Sequence, residues 1–199
     1  MNFFSDKNYD FVAIGDIATD AFIRLRDAKV SCGSDGRKCE LSLRFGDKVP
    51  YEFVEEVIAV GNSANASVSA SKLGLNSALV TNVGDDHNGS ECIATLKKNK
   101  VSTDFVTIHK DKETNYHYVL WFEDDRTILV KHQEYEYDFP DIGKPKWVYL
   151  SSIGENTLPY HKQIFEYLKN NILLRPEFGG SCDIYAAAEN EFLNEKCIN

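Results

Sequence analysis

Two aspartates, a glycine and a serine stand where this sequence could hold a polar ligand. Asp16 and Asp20 follow the apolar run at the start of Phe11-Val-Ala-Ile-Gly-Asp-Ile-Ala-Thr-Asp20, and Ser152 closes a second run, Lys146-Trp-Val-Tyr-Leu-Ser-Ser152. In a parallel α/β sheet, ligands collect beyond the carboxyl ends of the strands, so these groups fall where a substrate would lie. Asp20 is the stronger candidate, because Asp16 directly follows Gly15 and reads as a turn residue. Glu155 shares the strand end with Ser152. Gly61 opens a stretch of small residues that reads as a helix, and a glycine there lets a hydroxyl or phosphate approach the first amides.

The elements that must position these groups follow from periodicity. From Asn62 the small residues Ala64, Ala66, Ser67, Ala70 and Ser71 lead to Leu73 and a glycine stop at Gly74, which predicts a helix packed closely on a sheet. Ser77 to Val83 is a short apolar run of the buried parallel type, ended by Gly84. Asp86 to Asn99 predicts a second helix capped by Asp86, with Cys92, Ile93 and Leu96 on its apolar face. Val101 to His109 predicts a strand, and Tyr116 to Phe122 with Thr127 to His132 a hairpin. Leu158 to Leu168 predicts a helix that buries Ile164, Phe165 and Leu168. Further on, Ile172 to Gly180 reads as strand and loop, Asp183 to Tyr185 as a short strand and Glu189 to Asn199 as a helix. Between the first strand and Gly61 the pattern changes: Glu40 to Phe45 and Tyr51 to Val57 alternate, as antiparallel strands with one wet face do.

Composition bounds the function. A chain of 199 residues, 43% hydrophobic, can bury one substantial core. Its formal charge of −9 disfavours phosphate-backbone binding, so nucleic acid is not an expected partner. The basic cluster Lys97-Lys98-Asn99-Lys100 suits a solvated helix end. Without a long apolar run or the basic-then-apolar order of a signal peptide, the expected setting is cytoplasmic and away from membranes. Five cysteines without a CxxC pair read as reduced structural thiols, although Cys32 and Cys39 could face each other across a hairpin. His109, His117 and His132 share no motif and read as satisfied or surface histidines rather than metal ligands. No metal site and no catalytic residue is expected among these groups.

The spacing of Gly61, Asn65, Ser67, Gly74 and Gly84 resembles the N-terminal signature of the ribokinase-like (PfkB) carbohydrate and nucleoside kinases, and Gly84-Asp85-Asp86 with Gly89 is similar to the GxDxxG turn that follows it. The resemblance runs from about Tyr9 to about Leu168, with an echo at Ala188-Glu-Asn-Glu191, where alanine replaces the asparagine of the family's metal- and phosphate-placing motif. It implies an α/β, three-layer ribokinase-like sandwich with a truncated parallel core. Residues 1–199 would form a single N-terminal part of the kinase domain, with a small projecting β-sheet lid made of about 21–59 and 114–133. Asp20 falls at the family's hydroxyl-binding aspartate, near which Asn65 is expected, and Gly61, Asn62, Asn65 and Ser152 complete the implied substrate site. The family usually has two adjacent glycines at the lid hinge; here Val60 precedes Gly61, and a β-branched residue restricts closure.

Family members move the γ-phosphoryl group of ATP to a sugar or nucleoside hydroxyl, with Mg²⁺ and a base from an Asp-Thr-Xaa-Gly-Ala-Gly-Asp motif. The 199 residues contain no such motif. The resemblance thus implies ATP and Mg²⁺ for a full-length enzyme, with neither held tightly by this chain, and a homodimer contact through the lid. The alternative is a non-catalytic sugar- or nucleoside-binding or dimerisation module of the same fold. A dinucleotide enzyme would need GxGxxG after the first strand, where Gly15-Asp-Ile-Ala-Thr-Asp20 has a single glycine.

Overall fold

The computed structural model describes residues 8–33, 38–171, 174–179 and 183–188. The chain divides into two compact units: Met1–Ala18, Ile58–Asn115 and His132–Asn199 form the larger, Thr19–Val57 and Tyr116–Lys131 the smaller.

The larger unit is built on parallel strands β1 (Phe11–Ile14), β6 (Ser77–Gly84), β7 (Val106–His109) and β10 (Trp147–Leu150), in the spatial order β10-β1-β6-β7. Successive side chains on a strand point to opposite faces, and here both faces are covered. Val12, Ile14, Ala78, Val80, Val148 and Leu150 pack on Tyr160, Ile164 and Leu168 of helix α3 (Leu158–Asn171). Ala13, Leu79, Val83 and Tyr149 face the other way, onto Ala64 of α1 (Asn62–Lys72) and Cys92 and Leu96 of α2 (His87–Lys98). Each fully buried aliphatic such as Ile164 contributes about 2 kcal/mol of transfer free energy. The result is the expected α/β sandwich of three layers.

Helix α1 buries Ser63, Ala64, Ser67 and Ala70, all small, so its backbone lies close to the sheet. It ends in a Schellman arrangement: Leu75 N–H donates to Ala70 C=O and Gly74 N–H to Ser71 C=O, with Gly74 at φ 91°. Asp86 caps α2 as predicted, its side chain accepting from Gly89 N–H.

Two expectations are corrected in this unit. Val101 to His109 is not one strand: Lys100 takes φ 60°, Ser102 makes an isolated bridge to Ala78, Asp104 and Phe105 turn, and pairing resumes only at Val106. His132 lies beyond the hairpin in irregular chain rather than on a strand. The two strands expected after α3 are present, as a hairpin of β11 (Leu174–Gly179) against β12 (Asp183–Ala188), and β12 joins β10 antiparallel. The helix expected over Glu189 to Asn199, with Glu191, lies outside the described residues.

The smaller unit holds a four-stranded sheet ordered β5 (Tyr51–Val60), β2 (Ala18–Leu25), β8 (Asn115–Phe122), β9 (Asp125–Leu129), and a separate antiparallel pair, β3 (Lys29–Cys32) with β4 (Cys39–Ser42). Arg24 anchors the four-stranded sheet: it donates to the Glu123 carbonyl at 2.7 Å and lies 4.5 Å above the Trp121 ring. Register places Cys32 opposite Cys39, and the two are joined by a disulfide, which corrects the expectation of reduced thiols for this pair. Cys92 is free and buried, and Cys182 and Cys197 lie outside the described residues.

Candidate functional site

In the larger unit, the carboxyl ends of β1 and β10 lie side by side, because Ile14 is in register with Leu150. Gly15 follows β1 at a point of close approach. A Cβ on it would lie 2.5 Å from both the Ser63 and Ser151 hydroxyl oxygens. Those hydroxyls are buried and bonded to each other at 2.6 Å, and Ser63 also donates to the Ile14 carbonyl at 2.7 Å. The first turn of α1 is thereby fastened onto the strand ends.

Gly61 precedes α1 with φ 120°, and a Cβ there would meet the Asp16 carbonyl oxygen at 2.6 Å. Glycine is needed at this point because the loop must pass against the backbone that follows β1. No side chain caps the helix, so its first amides are left to other partners. Asn62 and Asn65 are exposed in the first turn, and Asn65 N–H donates to the Gly61 carbonyl at 2.9 Å. Val60 itself is regular strand; the unusual backbone flanks it, with Ala59 at φ 61° and Gly61 beyond. Ser152 is exposed just past β10, and its carbonyl accepts from Asp16 N–H at 3.4 Å. Gly61, Asn62, Asn65 and Ser152 therefore all lie at the start of α1 or the end of β10 in one unit.

Asp16 does more than turn the chain. Its Oδ2 accepts from Gly154 N–H at 2.7 Å and lies 3.2 Å from His132 Nδ1. That hydrogen bond and the negative charge of Asp16 raise the His132 pKa above its ordinary value against the opposing effect of burial. Nearby aromatic rings close over this end of the sheet: Tyr135 stacks on His109 at 4.7 Å, and Tyr137 packs on both Tyr135 and Tyr160. Burial, with the Asp16 charge adding to it, pushes all three tyrosine hydroxyls well above the usual range. His109 Nε2 meets Asn82 Oδ1 at 2.8 Å.

Asp20 belongs to the smaller unit, on β2. Its Oδ1 lies 3.2 Å from Nδ1 of His117 on β8. Burial raises the Asp20 pKa, and the His117 charge and hydrogen bond offset part of that rise. On the same sheet, the Tyr116 hydroxyl donates to Glu56 and is pushed up to about 12, first by burial and then by that carboxylate. The partnerships of Asp16 with His132 and of Asp20 with His117 were missed in sequence. Nothing in local spacing links residues so far apart in the chain.

Among the described residues no group of three or more His, Cys, Asp or Glu could hold a metal ion. No helix among them is long and apolar enough to cross a membrane.

The family model for pfkB family carbohydrate kinase matches residues 38–171, about two thirds of the chain. Ribokinase of Bacillus subtilis (strain 168) is 33% identical over 75 residues, which are 38% of this chain and 26% of that protein. Ribokinase of Mus musculus is 34% identical over 70 residues, 35% of this chain and 22% of that protein. Among solved structures, that of Arabidopsis thaliana ribokinase complexed with ribose and ATP matches with a TM-score of 0.50 at 17% identity, over 62% of this chain and 36% of that one. At that identity the likeness is one of fold. The match to the curated relatives spans about a quarter of their length.

Proposed function

This chain belongs to the pfkB family of carbohydrate kinases, and from that premise we propose that it carries the part of such a kinase that grips a sugar or nucleoside. In this reading Asp20 accepts hydrogen bonds from ligand hydroxyls. Gly61, Asn62 and Asn65 offer amides and amide side chains at the start of α1, and Ser152 adds a hydroxyl from the end of β10. The sheet of the smaller unit serves as the lid. The family match across residues 38–171, which contains Gly61 to Asn65 at an uncapped helix start, is the observation that carries the proposal. Donors left open at a helix N-terminus suit polar ligands, and a carboxylate suits hydroxyls.

Phosphoryl transfer from ATP is the reaction proposed for the family member as a whole. The base and anion-stabilising motif it needs is not in these 199 residues. The chain alone is therefore proposed to bind its sugar weakly, in the millimolar range, and to transfer nothing. Titration calorimetry with D-ribose, a fructose derivative and adenosine, with and without ATP·Mg²⁺, tests this. One of the three should bind, and Asp20→Ala should abolish the heat. Undiminished affinity in that variant would remove Asp20 from the site, and turnover by the chain would overturn the claim that it lacks the transfer machinery.

A non-catalytic module of the same fold, paired through its lid, is favoured by one observation. The smaller unit exposes Tyr51, Phe53, Val54 and Val57 on β5 together with Tyr118, Ile128 and Leu129. Apolar area of this kind marks association surfaces. Light scattering should find a dimer that Phe53→Glu with Val57→Lys converts to a monomer; a chain monomeric at every concentration up to about 10 times the assay level excludes this pairing.

A further inference from the structure

Asp20 and His117 occupy neighbouring strands of one sheet, β2 and β8. Their side chains are 18% and 15% exposed, and Nδ1 of His117 stands 3.2 Å from Oδ1 of Asp20. Three other charged groups of that sheet, Arg24, Glu52 and Glu56, are engaged elsewhere. Arg24 lies over Trp121 and 4.0 Å from Glu52, and Glu56 accepts from the Tyr116 hydroxyl. Among the described residues, His117 is the one titratable group that acts on the Asp20 carboxyl.

Proton bookkeeping then assigns His117 a task. A carboxyl withdrawn from water tends to keep its proton, and a protonated carboxyl has turned one of its acceptors into a donor. A residue that must accept hydrogen bonds from hydroxyls has to remain ionised. An imidazole with hydrogen on Nδ1 supplies the opposing effect whether it is neutral or cationic. Standing 3.2 Å from Oδ1, it also favours one setting of the carboxylate plane and leaves Oδ2 to accept. We propose that His117 is a positioning residue for ligand binding: it holds Asp20 ionised and oriented toward the ligand hydroxyls without touching the ligand itself. This rests on the reading of Asp20 as the hydroxyl-binding residue.

Three measurements on the full chain test it. In the unsubstituted protein, ¹⁵N spectra of the His117 ring should show Nδ1 protonated across the range from about pH 5 to pH 8; a bare Nδ1 facing Asp20 overturns the proposal without any variant. Carboxyl ¹³C titration of the ligand-free chain should move the Asp20 midpoint up by about one pH unit, a tenfold change in its proton affinity, in His117→Phe. In His117→Asn, whose side-chain amide can donate from near the Nδ1 position, most of that shift should be reversed. An unmoved midpoint in a folded His117→Phe protein also overturns it. In D-ribose calorimetry, His117→Phe should weaken binding most at the acid end of the range and progressively less as pH rises, by at most about tenfold, the change in proton affinity, with His117→Asn close to the parent. If Asp20→Ala leaves binding intact, the ligand-site reading fails; if Asp20→Ala abolishes binding while His117→Phe keeps the parent's affinity and pH profile, the role of His117 alone fails.

Discussion

Replacing Gly15 with alanine should lower the melting temperature by about 10 °C, the expected equivalent of roughly 3 kcal/mol in a chain of this size. The new methyl carbon would sit 2.5 Å from two buried hydroxyl oxygens and 3.1 Å from the Ser63 Cβ. Contacts that short are not tolerated, so either α1 moves off the sheet or the two serines rotate away. The first route loosens the packing of Ala64 on Ala13 and Leu79. The second breaks the Ser63–Ser151 bond and the Ser63 donation to Ile14, leaving buried polar groups unsatisfied at about 1–3 kcal/mol each. The two routes separate in a double-mutant cycle. If the serines are the obstacle, Gly15→Ala should cost much less in a Ser63→Ala, Ser151→Ala background, with a coupling energy above about 1 kcal/mol. Strictly additive calorimetric stabilities would show that helix displacement, not hydroxyl crowding, sets the cost.

Asp86→Ala should be nearly as damaging at neutral pH, by about 2–3 kcal/mol, and less damaging in acid. The Asp86 carboxylate joins three elements. Oδ1 accepts from Gly89 N–H at 2.8 Å and from the Thr114 hydroxyl at 2.6 Å, Oδ2 accepts from Thr114 N–H at 3.0 Å, and Gly84 N–H donates to that same hydroxyl at 3.0 Å. The end of β6, the cap of α2 and the start of β8 therefore share one charge. Burial alone would raise the Asp86 pKa, but the bonds from Thr114 and Gly89 outweigh it and leave the carboxyl below its ordinary value. A depressed folded pKa contributes stability that is present above the unfolded value near 3.8 and is lost as pH falls through the folded one. The gap between parent and variant in urea unfolding should thus be constant above about pH 5 and narrow steadily below about pH 4. Asp10 and Asp141 are lowered too, Asp10 chiefly by Lys146 and Asp141 by the Tyr167 hydroxyl, but both remain in the variant and cancel in the difference. A gap that does not change with pH would mean that the charge of Asp86 contributes nothing beyond its role as a cap.

The strand from Ser77 to Gly84, buried at every position, and the small-residue helix beside it were legible from residue order alone, as were the cap at Asp86 and the burial of Ile164 and Leu168 on α3, where Tyr160 rather than Phe165 is the third buried residue. Each is set by periodicity over one or two turns of chain, and burial enforces the period wherever an element has one side to hide. The antiparallel attachment of β12 to β10, the early turn at Asp104 and the bond between Cys32 and Cys39 were not legible, because each depends on which strand lies alongside.

By itself the sequence determined the α/β core and the resemblance to the family, since apolar period, glycine spacing and capping residues are local properties. Only the tertiary structure decided that Asp16 is held by Gly154 and His132, that Asp20 faces His117, and that Ser151 fastens α1 through Ser63. Those pairings depend on strand register and loop path. A polar side chain meets the partner that folding brings within about 3 Å, wherever in the chain that partner was encoded.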